Sequence, residues 1–228
     1  MDIVKPKDVV TNNIKMLIYG SSGIGKTRFS TDFLDSEKTL LIDLEKGSAS
    51  VKNKNIDSVR INTAGEYKQV LKELQSDTKY DNIIVDSYTK YSEMVYDVLK
   101  TLDPSRKNGQ AVWGEYDFHM KSNTLSLLAL NKNIIINCID DLVLFEDYRI
   151  SFPLVLGQKF KVGLPKEFDV IGFLTQDKEN NRILKLERTN EFLAKDRFGF
   201  LPSEIRSDNE LYGAEKLINY IKTKIKGD

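Results

Sequence analysis

The stretch Ile14-Lys15-Met16-Leu17-Ile18-Tyr19, followed by Gly20-Ser21-Ser22-Gly23-Ile24-Gly25-Lys26-Thr27, decides the fold. Six mostly apolar residues that stop at a glycine read as a short strand buried on both faces. The next eight fit the pattern Gly, four residues, Gly-Lys-Ser/Thr, and the spacing from Lys26 to Leu34 suits a helix. Between a strand and a helix, such glycines let the backbone curl until successive N–H groups face one anion, and the helix N-terminus adds its dipole. Gly20, Ser21, Ser22, Gly23, Ile24, Gly25, Lys26 and Thr27 are therefore the expected phosphate cradle. Lys26 brings a point charge to the β- and γ-phosphates, and the Thr27 hydroxyl is placed to hold Mg²⁺.

Outward from this loop the same punctuation recurs. Thr39–Asp43 (TLLID), Asn82–Asp86 (NIIVD) and Asn133–Cys138 (NIIINC) are further short apolar runs. Helix-spaced segments separate them. Thr63-Ala64-Gly65-Glu66 has capping-box spacing, and Tyr67, Val70, Leu71 and Leu74 follow on one face to about Gln75. Helices are also predicted over Tyr91–Leu102 and, after a polar loop around Pro104 to Gln110, up to about Leu130. Strand and helix in alternation predict an α/β fold with a mostly parallel central sheet flanked by helices. Beyond Ile139 the pattern changes: a long polar-aromatic stretch, Asp140 to Lys166, precedes short strand-like runs at Asp169–Thr175, Arg182–Glu187 and Glu191–Lys195. These are expected to add antiparallel edge strands, and an amphipathic helix at about 211–225 follows. No repeat or low-complexity linker interrupts the chain, so residues 1–228 are expected to form one domain with its core at about 14–202.

Lys and Arg total 34 against 34 Asp and Glu, so no global basic field marks a nucleic-acid or membrane-surface binder, and any polyanion site must be local. The apolar runs fall short of the ~20 residues that span a bilayer. Met1 to Asn13 has no apolar core of the kind a secretory signal carries. Cys138, the single cysteine, excludes an intrachain disulfide and suits a reducing cytoplasm. It reads as a small apolar filler, and His119 has no second His or Cys at metal spacing.

Asp86 ends its apolar run as a Walker B carboxylate does, able to hold Mg²⁺ directly or through water. The base-reading Asn-Lys-x-Asp of G proteins is not matched by Asn131-Lys132-Asn133-Ile134, and Asp86-Ser87-Tyr88-Thr89 is not the Asp-x-x-Gly switch. No Arg-rich lid of a small nucleotide kinase is present. What is distinctive is Leu40-Leu41-Ile42-Asp43-Leu44-Glu45, a carboxylate pair at the end of the second strand. This arrangement resembles the RecA-type ATPase core, whose corresponding strand ends in Asp-x-Glu. The resemblance makes Glu45 the catalytic carboxylate that orients the attacking water. Ile136-Asn137-Cys138-Ile139 is similar to the RecA strand with a polar sensor at its tip. Cys138 stands where that family carries Gln, and Asn137 and Asp140 are the alternatives for its role. Leu193-Ala194-Lys195-Asp196-Arg197-Phe198-Gly199 resembles the Lys-x-Arg finger strand of RecA-fold helicases. In that reading Lys195 and Arg197 complete the site of a neighbouring subunit.

With Trp113-Gly114-Glu115-Tyr116 added, the chain from Ile14 to Pro202 resembles the small phage-encoded RecA-core proteins of an AAA-domain family linked to single-strand annealing and homologous recombination. The resemblance implies Mg²⁺-dependent conversion of ATP to ADP, single-stranded DNA as partner, a homo-oligomeric ring or filament with its fingers in trans, and residence in a host cytoplasm. Phe145, Tyr148, Arg149, Phe152, Lys159, Phe160 and Lys161 offer the cations and flat rings that single-strand binding needs. A β-hairpin whose aromatics pack on the core explains the same residues, and Arg106 and Lys107 form a second candidate patch. Two rival readings are a nucleotide-dependent module that recruits a replication or recombination partner without turnover, and a small-molecule phosphotransferase.

Overall fold

The apolar run before the glycines becomes β1, Lys15–Tyr19, in a computed structural model that describes residues 13–32, 36–102, 109–145 and 147–227. The strands that follow are β2 Thr39–Asp43, β3 Asp57–Arg60, β4 Asn82–Asp86, β5 Asn133–Cys138, β6 Asp140–Phe145, β7 Tyr148–Pro153, β8 Val170–Gln176, β9 Arg182–Lys185, β10 Lys195–Asp196 and β11 Glu204–Arg206. The helices are α1 Lys26–Ser30, α2 Ala64–Leu74, α3 Tyr88–Leu102, α4 Gly109–Leu128, α5 Gln158–Gly163 and α6 Ala214–Lys226. Among the described residues one large sheet runs in the order β11-β9-β8-β1-β5-β4-β2-β3, with β10 on the remaining edge of β8, while β6 and β7 pair separately. The six strands from β8 to β3 in that order are mutually parallel, and β9, β10 and β11 are antiparallel additions.

Alternation along the buried strands sorts their side chains into two cores. Leu17, Tyr19, Ile83, Val85, Ile134 and Ile136 face α2, α3 and α4. Met16, Ile18, Ile84 and Ile135 face the other way, onto Phe29 of α1 and the apolar stripe Ala214, Leu217, Ile218 and Ile221 of α6. Both faces of β1 and its neighbours are thus covered, which is why these strands read as continuous apolar runs. The expected helix start at α2 is formed: Glu66 N–H donates to Thr63 Oγ1 at 3.1 Å, and the Glu66 carboxylate accepts from Asn62 N–H at 2.7 Å.

Three local readings change. The strand at 170–176 is no edge strand: it pairs parallel to β1 and lies inside the sheet. The short strands β3 and β11 carry too few apolar residues to announce themselves, yet they close the two edges of the sheet. The polar-aromatic stretch after Ile139 folds as the β6–β7 hairpin, with Ile150, Phe152 and Val155 buried in the core. No helix among the described residues is long and apolar enough to cross a membrane.

The tyrosines under α2 and α3 give a stability test. Tyr67 is fully buried against Tyr91 and its hydroxyl has no partner among the described residues, whereas the Tyr88 hydroxyl donates to Thr124 Oγ1 at 2.7 Å. A lost buried bond costs about 1 kcal/mol, while removing an unsatisfied group is neutral or favourable. Chemical denaturation is expected to show Tyr67→Phe as stable as the parent or more so, and Tyr88→Phe weaker by about 1 kcal/mol.

Candidate functional site

Parallel pairing brings the C-terminal ends of the strands to one edge. The register sets Tyr19 beside Cys138, Asn137 beside Asp86 and Asp86 beside Asp43, so four strand ends meet in a row. The chain leaves β1 through Gly20, whose N–H donates to the Cys138 carbonyl at 3.3 Å. A Cβ on Gly20 would collide with the Leu174 carbonyl of β8, so only glycine lets the loop start this close to the sheet. The loop then curls through Gly25, at φ 109°, into α1. The Lys26 ammonium donates to the carbonyls of Gly20 at 2.7 Å and Ser21 at 2.9 Å. A third donor remains on the same nitrogen. Burial lowers the Lys26 pKa, and Asp86, Glu45, Cys138 and Asp140 act against that shift.

The Thr27 hydroxyl donates to Asp86 Oδ2 at 2.5 Å, joining the first turn of α1 to the end of β4. Asp86 is nine-tenths or more enclosed, and burial raises its carboxyl pKa even though Thr27 and Lys26 favour the ionised form. One step beyond, Ser87 donates to the Glu45 carboxylate, and Leu44 N–H donates to the Asp86 carbonyl at 2.7 Å. These two contacts tie the exposed Glu45 to the end of β4. Asp43, fully buried, accepts from Gly47 N–H at 3.0 Å and so shapes the turn that carries Glu45. Thr27, Asp86, Lys26 and Glu45 are therefore brought together, as the sequence predicts. A hydroxyl and a buried carboxylate converging at 2.5 Å are hard oxygen donors of the kind that bind Mg²⁺ with phosphate oxygens completing its shell.

Ser21 Oγ donates to Asp140 Oδ2 at 3.3 Å, linking the phosphate loop to the first residue of the β6–β7 hairpin. The Tyr19 hydroxyl fastens the hairpin to the segment before β10, its one proton shared between the carbonyls of Ser151 at 3.0 Å and Leu193 at 2.6 Å. Of the expected DNA-contacting residues, Tyr148, Arg149 and Lys159 are exposed, and Lys161 pairs with Asp141 at 2.6 Å. Phe152 and Phe160 are core residues, so the expectation that their rings stack on bases is corrected. The Phe145 side chain, Arg106 and Lys107 lie outside the described residues.

Lys195 and Arg197 are not brought to the chain's own loop. They sit at the opposite end of β8, roughly 15 Å away by strand rise. Both reach the Lys166 carbonyl, so they do share a face. Lys195 also donates to the Phe168 carbonyl at 2.6 Å, and Arg197 pairs with Asp169 at 2.6 Å. Within one chain they fasten the lower edge of the sheet. Trp113 stacks on Tyr96 with centroids 4.6 Å apart, and His119 lies by Phe118 on α4. Two residues at the site escape sequence reasoning. Ser87 positions Glu45, and Arg182 donates from Nε to the Ile24 carbonyl at 2.8 Å. Arg182 stands some 155 positions from the loop in sequence, and no motif surrounds it.

Cys138 is fully buried, and burial pushes its thiol up to about 12. The thiolate is the reactive form. Alkylation by iodoacetamide at pH 8 is therefore expected to be negligible in the folded protein and rapid in denaturant, as read by intact mass.

The sequence model of a family described as an AAA domain matches residues 12–198, most of the chain and all of the loop, β4 and the Glu45 turn. A comparison with curated proteins returns no match. The matched span holds the strand, glycine loop, Lys26-Thr27 pair and β4 carboxylate whose geometry is given above, and the chain accordingly belongs to the AAA domain family of P-loop, ATPase-type nucleotide-binding domains.

Proposed function

We propose that this chain binds ATP at Gly20–Thr27 and hydrolyses it to ADP with Glu45 as general base. The observation that carries this reading is the Thr27–Asp86 contact of 2.5 Å with Glu45 held one residue further along the same edge by Ser87. A carboxylate at that point can accept a proton from water directed at the γ-phosphorus, while the bond to the bridging oxygen breaks and that oxygen leaves on ADP. Thr27 and Asp86 would hold Mg²⁺, which would supply charge neutralisation to the phosphates. Lys26 turns its remaining N–H toward the same oxygens, and the loop N–H groups hold the phosphates in place. Glu45, exposed at the rim, is open to water, whereas Asp86 is enclosed.

Single-stranded DNA is the partner assigned to the β6–β7 hairpin in this reading. The Ser21–Asp140 bond supports it, because a phosphate arriving at the loop acts directly on the first residue of the hairpin that displays Tyr148 and Arg149. A chain of zero formal charge binds such a polyanion through local cations only, so the binding should weaken steeply with salt.

Phosphate release measured with and without a thymidine oligonucleotide tests both parts. Glu45→Gln is expected to lower kcat by about 10²-fold or more with ATP affinity nearly unchanged, a loss in the range of removed general bases. Release that survives this change removes Glu45 from the chemistry. Lack of any release from the parent protein favours the switch that recruits a partner without turnover. Oligonucleotide stimulation is expected at low salt, and its absence there removes the DNA assignment.

Asp86 separates stability from function. Its folded pKa is raised above the unfolded value, so its contribution is fully present below the unfolded pKa near 3.8 and is lost as pH rises through the folded value. Burial therefore disfavours the ionised carboxyl in the folded protein. Asp86→Asn should raise the melting temperature of the metal-free protein at pH 7 while abolishing the Mg²⁺ dependence of nucleotide binding.

A further inference from the structure

Helix α4 is apolar on two sides. Val112, Tyr116, Met120 and Leu127 lie in the core, as an amphipathic helix requires. On the outward side the usual charges are missing. Of the exposed positions of α4 only Lys121 is charged, whereas Glu66, Lys68, Lys72 and Glu73 cover the outside of α2. Phe118 is 69% exposed and Leu125 44%. The apolar surface continues from these two into a groove of 380 Å³, whose far wall includes Phe160 and Leu164. A helix with apolar residues all round is ordinarily enclosed on all sides, and this one lacks a cover.

We propose that α4 joins two copies of this chain, packing antiparallel against the same helix of the partner. Ala111, Gly114, Phe118, Lys121, Leu125 and Leu128 follow one another at alternating intervals of three and four residues, the spacing of a seam between paired helices. Read backwards, this seam complements itself in size. A two-fold axis crossing α4 between His119 and Met120 sets Ala111 against the partner's Leu128, Gly114 against the partner's Leu125 and Phe118 against the partner's Lys121. Every large side chain then meets a small or a flexible one. A Cβ added at Gly114 would meet nothing within 4 Å, so the space for the partner's Leu125 is open. Lys121 can lay its methylene stem along the partner's Phe118, which brings its ammonium beside the partner's Asp117. Asp117 Oδ1 and Lys121 have no polar partner among the described residues, although the two side chains stand four positions apart on one helix. A parallel pairing has neither advantage: it sets Lys121 on the partner's Lys121 and leaves a gap where Gly114 faces the partner's Gly114. The antiparallel contact uses the same patch on both copies, so it closes at two. No residue of the seam belongs to the nucleotide site proposed above, and the inference stands apart from that reading.

Sedimentation velocity of the full chain without nucleotide tests the pairing, and cysteine cross-linking reads its register. The parent is expected to sediment as a dimer at micromolar concentration. Phe118→Glu, at a position so exposed that folding is not at stake, should raise the dimer dissociation constant by about 30-fold or more, the loss expected for an aromatic anchor at the centre of an interface. Gly114→Cys and Leu125→Cys proteins, mixed and oxidised, should form a disulfide-linked dimer in far higher yield than either protein alone, while the buried Cys138 stays out of the reaction. A parent that stays monomeric throughout the micromolar range, or a dimer that Phe118→Glu leaves intact, overturns the pairing through α4. Cross-linking no greater in the mixture than in the single proteins overturns the antiparallel register on which it rests.

Discussion

Everything at the site follows from one register. Parallel strands enclosed on both faces cannot slip by a residue without turning their apolar side chains out of the two cores. Leu17, Ile83 and Ile134 must face one core, while Ile18, Ile84 and Ile135 face the other. That requirement alone lines up the ends of β1, β5, β4 and β2 and sets Asp43, Asp86 and Asn137 in one row beside the first glycine of the loop. The Thr27–Asp86 bond is the local consequence: a helix that starts at Lys26 and a strand that ends at Asp86 have no other way to meet. Side chains 59 residues apart in sequence thus converge.

The charge balance of 34 against 34 is compatible with a triphosphate site because the site uses position more than number. Backbone N–H groups, one buried ammonium and one buried carboxylate act where water is scarce and each interaction is stronger than at the surface. Burial shifts the Lys26 and Asp86 equilibria toward their neutral forms, and each favours the charged form of the other. The pair holds charge that the fold alone disfavours. Such a site carries a stability cost that a bound metal and anion would offset, which would place the proposed function and unliganded stability in opposition at Asp86.

The fold was legible where the chain is buried and obscure where it is not. Four apolar runs and the glycine pattern located β1, β2, β4 and β5 because both faces of those strands are covered. Thr63 and Glu66 announced α2 through capping chemistry. The edge strands β3 and β11 passed unnoticed because half of their residues face water and neither is longer than four residues. Among the candidate site residues, Lys26, Thr27, Asp86 and Glu45 were suggested by spacing and by likeness to RecA-type cores, and the fold brings the four together. Arg182 was not, since a lone arginine at the start of a short strand has no local signal, and only tertiary folding carries it to the Ile24 carbonyl. Phe152 and Phe160 illustrate the converse. A ring beside a lysine reads as a stacking platform, yet the hairpin turns both rings into the core.

The most direct measurement is a crystal structure of the protein with Mg²⁺ and a non-hydrolysable ATP analogue. The account predicts phosphates within Gly20–Thr27, the metal between Thr27 Oγ1 and Asp86, and a water between the Glu45 carboxylate and the γ-phosphorus. A nucleotide seated elsewhere, or a metal that avoids both Thr27 and Asp86, would contradict it.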